Sequence, residues 1–208
     1  EQFDDLALIF LEDEITDRDF AWLPTEAEAE GIVDDLDVDI VGYGQRDPEA
    51  TLFDTTEPLR YWAATFINEV GSHEMQIGDS GDDGRKCHGD SGGPSYAEIG
   101  DRGSDLQRVI GVTSHAYSAE EDCYLGGVDT RVDAYLDWIE EAMIAACDDG
   151  TRSWCDEPGI PDPGAAAGDD DDDDGGDGCQ DCSSEIAGGD AGLAALPLLL
   201  LLGLRRRR

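Results

Sequence analysis

Cys87-His88-Gly89-Asp90-Ser91-Gly92-Gly93-Pro94 sets one serine among closely spaced glycines. A serine hydroxyl is a poor nucleophile at neutral pH. It needs a base to take its proton and donors to hold the oxyanion that develops on an attacked carbonyl. Gly89 and Gly92 serve the second need, because a residue without a Cβ adopts backbone angles closed to others and lets N–H groups converge beside the hydroxyl. The stretch therefore predicts an acyl-transfer nucleophile, Ser91, rather than a glycine-rich surface turn.

Outward from it, short apolar or alternating runs at Val38–Val41, Trp62–Ile67 and Val109–Val112 lie between Gly/Asp/Pro turns and predict strands. From Val132 to Ala146, the residues Val132, Tyr135, Leu136, Ile139, Met143 and Ala146 recur at helical spacing and predict the one helix of the folded part. The expectation is an all-β body closed by a C-terminal helix. With 208 residues, 39% of them apolar, there is room for one domain with an ordinary core plus a tail.

On these residues the chain resembles the trypsin-like serine peptidases of the chymotrypsin fold, in order and spacing from about Asp5 to Ile144. Asp5-Leu6-Ala7-Leu8-Ile9-Phe10-Leu11 is similar to the family's strand that begins with the triad aspartate, and Val41-Gly42-Tyr43-Gly44 to its Gly-aromatic-Gly strand. Ile110–Ser114 resembles the strand along which substrate lies. Gly127–Val132 followed by Tyr135–Ile139 resembles the last strand and closing helix. The fold implied is a chymotrypsin-like antiparallel β-barrel, with the second barrel complete and the first represented only by its last strand.

The resemblance implies a role for each matching residue. Ser91 is the nucleophile, Asp5 the carboxylate that fixes the tautomer of a catalytic imidazole, and the N–H groups of Gly89 and Ser91 form the oxyanion hole. Asp90 pairs with the amino terminus released on zymogen cleavage. Asp4 adjoins Asp5, but only Asp5 directly precedes the apolar run. The family's histidine, in an Ala-His-Cys segment tens of residues before the aspartate, has no counterpart among the three present. His88 rims the primary pocket, His115 replaces the substrate-flanking tryptophan, and His73 sits in a loop. The expectation is that the base, a signal peptide and an activation site lie upstream, so that these residues alone are inactive while their parent is a peptidase.

Ser114, His115 and Ala116 are implied to flank substrate, Ala116 in place of the usual glycine. The family's pocket-base residue lies six positions before the nucleophile, which is Arg85, and Asp129 holds a pocket-lining position often occupied by tyrosine. Unpaired, Arg85 would favour an acidic substrate side chain, because a buried cation without a partner is costly. Paired with Asp129 it would leave a shallow pocket, and a third arrangement points it to water. The function implied is a serine endopeptidase acting on polypeptides through an acyl-enzyme on Ser91, with no cofactor and no metal. His115, Ala116 and the Arg85-Lys86 pocket wall keep open a second class, a peptidase-like binding module without turnover.

Six cysteines in a turn-rich chain predict an oxidising compartment. The resemblance implies a Cys87–Cys123 bridge between the nucleophile loop and the pocket wall, and Cys147 and Cys155, bracketing a short acidic loop, are expected to pair. The balance of 13 basic against 51 acidic residues gives −38, and 36 of the acids precede Asp148, so the body itself is strongly acidic. A field of that sign repels nucleic acid and anionic membrane surfaces, which argues against nucleic-acid partners. No acidic loop has a regular calcium-ligand spacing.

Domain boundaries follow composition: a peptidase domain over 1–147, an acidic Pro/Gly/Asp-rich linker over 148–178, and a terminal segment over 179–208. Pro158–Gly168 and Asp169–Asp174 lack the apolar residues that offset ordering entropy and predict a disordered, self-repelling stalk. After Cys179-Gln180-Asp181-Cys182 comes an apolar run, Ala191–Leu204, which as a helix would span about 21 Å against roughly 30 Å of hydrocarbon. Cysteine, a Leu-rich stretch and Arg205–Arg208 together resemble the C-terminal sorting signals of bacterial surface proteins, most closely the myxobacterial type. This implies export, membrane contact only through 191–208, handling by cell-envelope sorting machinery at Cys179 and Cys182, and display at the cell surface or release outside it. A plain C-terminal anchor is the alternative. A zinc or redox Cys-x-x-C lacks a partner pair.

Overall fold

Val38 and Ile40 alternate with Asp37 and Asp39, the period-two pattern of a strand with one buried face, and in the computed structural model they lie on β1, Asp37–Gly42. The structure describes residues 4–15, 17, 20–46, 59–79, 84–99, 107–118 and 122–161. Five more strands follow: β2 (Tyr61–Val70), β3 (Glu74–Ile77), β4 (Pro94–Ala97), β5 (Arg108–Ser118) and β6 (Asp122–Arg131). All pair antiparallel in the order β1-β2-β3-β6-β5-β4, and the β1–β4 ladder closes the barrel. Among the described strands, closure leaves none with a wholly unpaired edge. The expected strands fall within β1, β2 and β5, and the expected all-β, chymotrypsin-like barrel with a C-terminal helix is the observed architecture.

The sheet has apolar side chains on both faces. Inside the barrel, Val38, Ile40, Ile67, Met75, Ile77 and Ile110 pack together. Outside it, Tyr96, Val109, Val112 and Val132 pack against Ile139 of the C-terminal helix, with Leu6, Leu8, Leu23, Met143 and Ile160 at the margin. Val109 and Ile110 therefore serve opposite cores, which is why that run is continuously apolar instead of alternating.

The predicted helix over Val132–Ala146 begins later than its periodicity suggests. Val132 N–H still bonds the Ile110 carbonyl at 3.0 Å, holding it to the barrel. A single 3-10 turn, Asp133–Tyr135, then leads into α2, Leu136–Asp148, with Ile139 and Ala146 buried. One helix was not anticipated: α1, Glu26–Ala29, is too short to show a period. Its signal is the capping box Thr25-x-x-Glu28, in which Thr25 Oγ1 accepts from Glu28 N–H at 3.2 Å and Glu28 Oε2 from Thr25 N–H at 3.0 Å.

Asp5–Leu11, expected as the closing strand of a first barrel, forms no ladder among the described residues. A strand requires a neighbour for its N–H and C=O groups. Here Leu6 and Leu8 instead cover the outer core, and the Leu11 carbonyl accepts from Trp154 Nε1 at 3.3 Å. Packing also continues past Cys147, the expected limit of the folded part. The Cys147–Cys155 disulfide closes the chain behind α2. Arg152, only 4% exposed, donates to the carbonyls of Glu157 and Pro158 and stacks on Trp154. Among the described residues no helix is long and apolar enough to cross a membrane. Asp169–Asp174, Cys179, Cys182 and the run 191–208 lie outside the described residues.

Candidate active site

Two consecutive turns present Ser91. Asp90 N–H bonds the Cys87 carbonyl at 3.0 Å and Gly93 N–H bonds the Asp90 carbonyl at 2.8 Å. In each turn the third residue has positive φ, 97° at Gly89 and 79° at Gly92, a conformation that excludes most side chains and explains the glycine spacing. Gly92 N–H to Thr113 O (2.8 Å) and Thr113 N–H to Gly93 O (2.9 Å) strap the loop to β5. Ser91 is left exposed between the turns, with no hydrogen-bond partner among the described residues.

Asp90 points away from the mouth. Its Oδ1 accepts from Gly44 N–H at 2.8 Å and its Oδ2 from Cys87 N–H at 2.9 Å, so one carboxylate joins the β1 exit to the Ser91 loop. A Cβ at Gly42 or Gly44 would overlap that carboxylate. A recess of about 330 Å³ opens on this side, lined by Gly42, Gly44, Arg46, Trp62 and Asp90.

On the other side lies a pocket of about 240 Å³, shared by Ser91, the 86–88 segment, Thr113–Ala116, Cys123 and Gly127. The register between β5 and β6 shifts between Thr113 and His115, and such a bulge re-aims side chains locally. Ser114 Oγ donates to Asp5 Oδ2 at 2.7 Å, and Thr130 Oγ1 donates to the Asp5 carbonyl at 3.2 Å. Asp5 is thus tied to the pocket strand, while the exposed Asp4 accepts from Tyr135 Oη at 2.5 Å. His115 is exposed, with Nδ1 3.1 Å from Ser114 Oγ. His88 is exposed at the rim, and His73 lies against Ser72 and the Tyr135 ring. Among the described residues, none of the three is hydrogen-bonded to Ser91.

The pocket wall differs from the expectation. Arg85 does not reach Asp129: its guanidinium donates to the Tyr124 carbonyl at 3.1 Å and lies over the Tyr124 ring. A guanidinium has five donors to satisfy, which favours this exposed carbonyl over a narrow interior. The partner of Asp129 is Lys86. Its Nζ donates to Asp129 Oδ1 (2.9 Å), Asp129 Oδ2 (2.7 Å) and Thr113 Oγ1 (2.6 Å). Lys86 and Asp129 side chains are 3% and 0% exposed. Burial holds the Lys86 ammonium below the ordinary lysine range, against the opposing pull of the Asp129 carboxylate. Sequence reading missed Lys86 and Thr113 as a unit with Asp129. The available signal was that Lys86 is the one lysine in the chain, directly before Cys87.

Cys87 and Cys123 are disulfide-bonded, joining the Ser91 loop to β6 across this pocket. Among the described residues no group of three or more His, Cys, Asp or Glu side chains is arranged to hold a metal ion.

The chain is 30% identical over 161 residues to the Spaetzle-processing enzyme of Drosophila melanogaster, an alignment covering 69% of this chain and 38% of that protein. It is 34% identical over 162 residues to Melanization protease 1 of the same organism, covering 70% of this chain and 39% of that protein. It therefore spans about two fifths of the length of these curated relatives. The trypsin family model matches residues 1–139, two thirds of the sequence and all of the barrel, and with the Ser91 loop and its disulfide in place the chain belongs to the trypsin family.

Proposed function

We propose that the full-length protein is an exported serine endopeptidase, with Ser91 as nucleophile. The observation that carries this is the arrangement of the pocket: Ser91 stands between two glycine turns at its mouth, and the carboxylate of Asp5 is bonded to Ser114 on the strand along its wall. In this reading Ser91 Oγ attacks the scissile carbonyl, and its proton passes to an imidazole from outside these 208 residues, oriented by Asp5. The N–H groups of Gly89 and Ser91 stabilise the oxyanion. The proton then goes to the leaving amine, and water releases the acyl group from Ser91. Asp90, already accepting two backbone amides, sets the turn that aims those N–H groups and would take the activated amino terminus. Two disulfides favour an oxidising compartment.

A fluorophosphonate probe is expected to label the full-length protein on the peptide bearing Ser91, and the 208-residue chain about a hundredfold more slowly or less. Equal rates would put the base inside the chain. No labelling of either would favour a binding module.

For the terminal segment we propose processing near Cys179 and Cys182 after export, with membrane contact through 191–208 in transit. Mass spectrometry of the mature surface protein should find a C-terminus upstream of Ala191. An intact Arg208 would show a retained anchor instead.

A further inference from the structure

The wall of the pocket beside Ser91 contains a complete ion pair. An ammonium carries three N–H donors, and Lys86 Nζ has three oxygen partners between 2.6 and 2.9 Å, two on Asp129 and one on Thr113. The set is saturated. Lys86 has no N–H left for a ligand, and the Asp129 carboxylate, fully buried, faces its own counter-charge. The neighbouring backbone holds this arrangement closely: a Cβ on Gly127 would stand 3.2 Å from Lys86 Cβ. Gly111 leaves room on the opposite side, where a Cβ would fall within 2.6 Å of Asp129 Oδ2. In a chain with 51 acidic residues, the one lysine is enclosed in the interior and not placed on the surface.

We propose that the Lys86–Asp129–Thr113 cluster closes this pocket as a shallow, charge-neutral recess, so that the residue before the cleaved bond is small and uncharged. The assignment rests on the peptidase reading above. An acidic side chain would find no free donor on Lys86, the one lysine of the wall, and it would lose hydration that this ammonium cannot replace. A basic one would meet the Lys86 ammonium in front of the Asp129 carboxylate. Long side chains would meet the cluster itself, which packed interiors do not accommodate without displacement.

The test uses the full-length protein with a peptide library varied at the residue before the cut. Alanine, serine and valine are expected to exceed Arg, Lys, Asp, Glu and the aromatic residues at least tenfold in kcat/KM. Lys86→Ser uncovers the Asp129 carboxylate and should move the preference to Arg and Lys. Because that variant leaves a buried charge unpaired and can lose stability, Lys86→Ser/Asp129→Asn is the companion. It should keep the preference for uncharged residues while accepting longer ones. Dominance of charged or aromatic residues in the unmodified protein would overturn the proposal, as would a Lys86→Ser/Asp129→Asn protein with unaltered size selection.

A second readout does not depend on turnover. Acetic anhydride should leave Lys86 unmodified in the folded protein and acetylate it in denaturant, read by peptide mass mapping. Acetylation at the rate of a free lysine would overturn the closed recess. If Lys86 is protected but no peptide is cleaved and Ser91 is not labelled, the peptidase reading fails, and the substrate assignment fails with it.

Discussion

Ser91→Ala in the full-length protein should reduce kcat/KM for peptide hydrolysis by about 10⁴-fold or more, equivalent to roughly 5.5 kcal/mol of transition-state stabilisation. Fold stability should barely change, because Ser91 is exposed and its hydroxyl has no partner among the described residues. Asp5→Asn is the sharper companion. The amide oxygen can still accept from Ser114 Oγ, so geometry is kept, yet an amide does not favour an imidazolium and can hold the wrong tautomer, which should cost about 10³- to 10⁴-fold in kcat. Asp5→Ala would add a loss of stability by leaving Ser114 without its acceptor. A Ser91→Ala protein retaining a tenth of the activity would place the chemistry elsewhere. An Asp5→Asn protein of normal kcat would reduce the Asp5–Ser114 bond to a structural tie.

How far the sequence reveals such a site depends on whether a local constraint or a distant partner decides each position. The double turn around Ser91 was legible because each turn demands glycine at its third residue, and that demand is met within six residues of chain. The strands β1, β2 and β5 were legible from periodicity, since burial on one or two faces leaves its pattern in the residues themselves. Other features depend on contacts far along the chain. Whether Arg85 or Lys86 meets Asp129 is decided by the fold of β6, more than forty positions away, and adjacent cations look equivalent in a one-dimensional reading. The helix start was misplaced for a similar reason: Val132 fits the helical period, but its N–H is held by Ile110. Asp5–Leu11 has a strand's composition, and only the presence of a neighbour could have made it one.

The largest stability effect expected outside the pocket is at Glu28→Gln. Glu28 accepts from Arg108 through both carboxylate oxygens, Nε to Oε2 at 2.9 Å and Nη2 to Oε1 at 2.7 Å, and the Arg108 side chain is only 1% exposed. Removing the carboxylate takes its charged partner from a buried guanidinium, which should lower unfolding stability by about 3 kcal/mol. Thr25→Ala, which removes only the cap of the same helix, should cost about 1 kcal/mol. The two can be ranked by urea midpoints at pH 7.

The pH dependence supplies a check on cause. Hydrogen bonds from Arg108 hold the Glu28 carboxyl below the ordinary carboxyl range despite partial burial. A carboxyl depressed in the folded state contributes its full stabilisation above its unfolded pKa and loses it as pH falls through the folded value. The gap between the unmodified protein and Glu28→Gln should therefore be widest at neutral pH and should narrow below about pH 4, as Glu28 itself becomes neutral. A gap that stays constant down to pH 2.5 would mean that lost shape, not lost charge, is responsible. Arg108 opens β5, the strand that goes on to supply Thr113 and Ser114 to the pocket. With the Trp22–Arg108 bridge and the closed barrel still holding β5 in register, Glu28→Gln should lower the unfolding midpoint while leaving the proposed peptidase kcat/KM at 25 °C within about twofold of the unmodified protein.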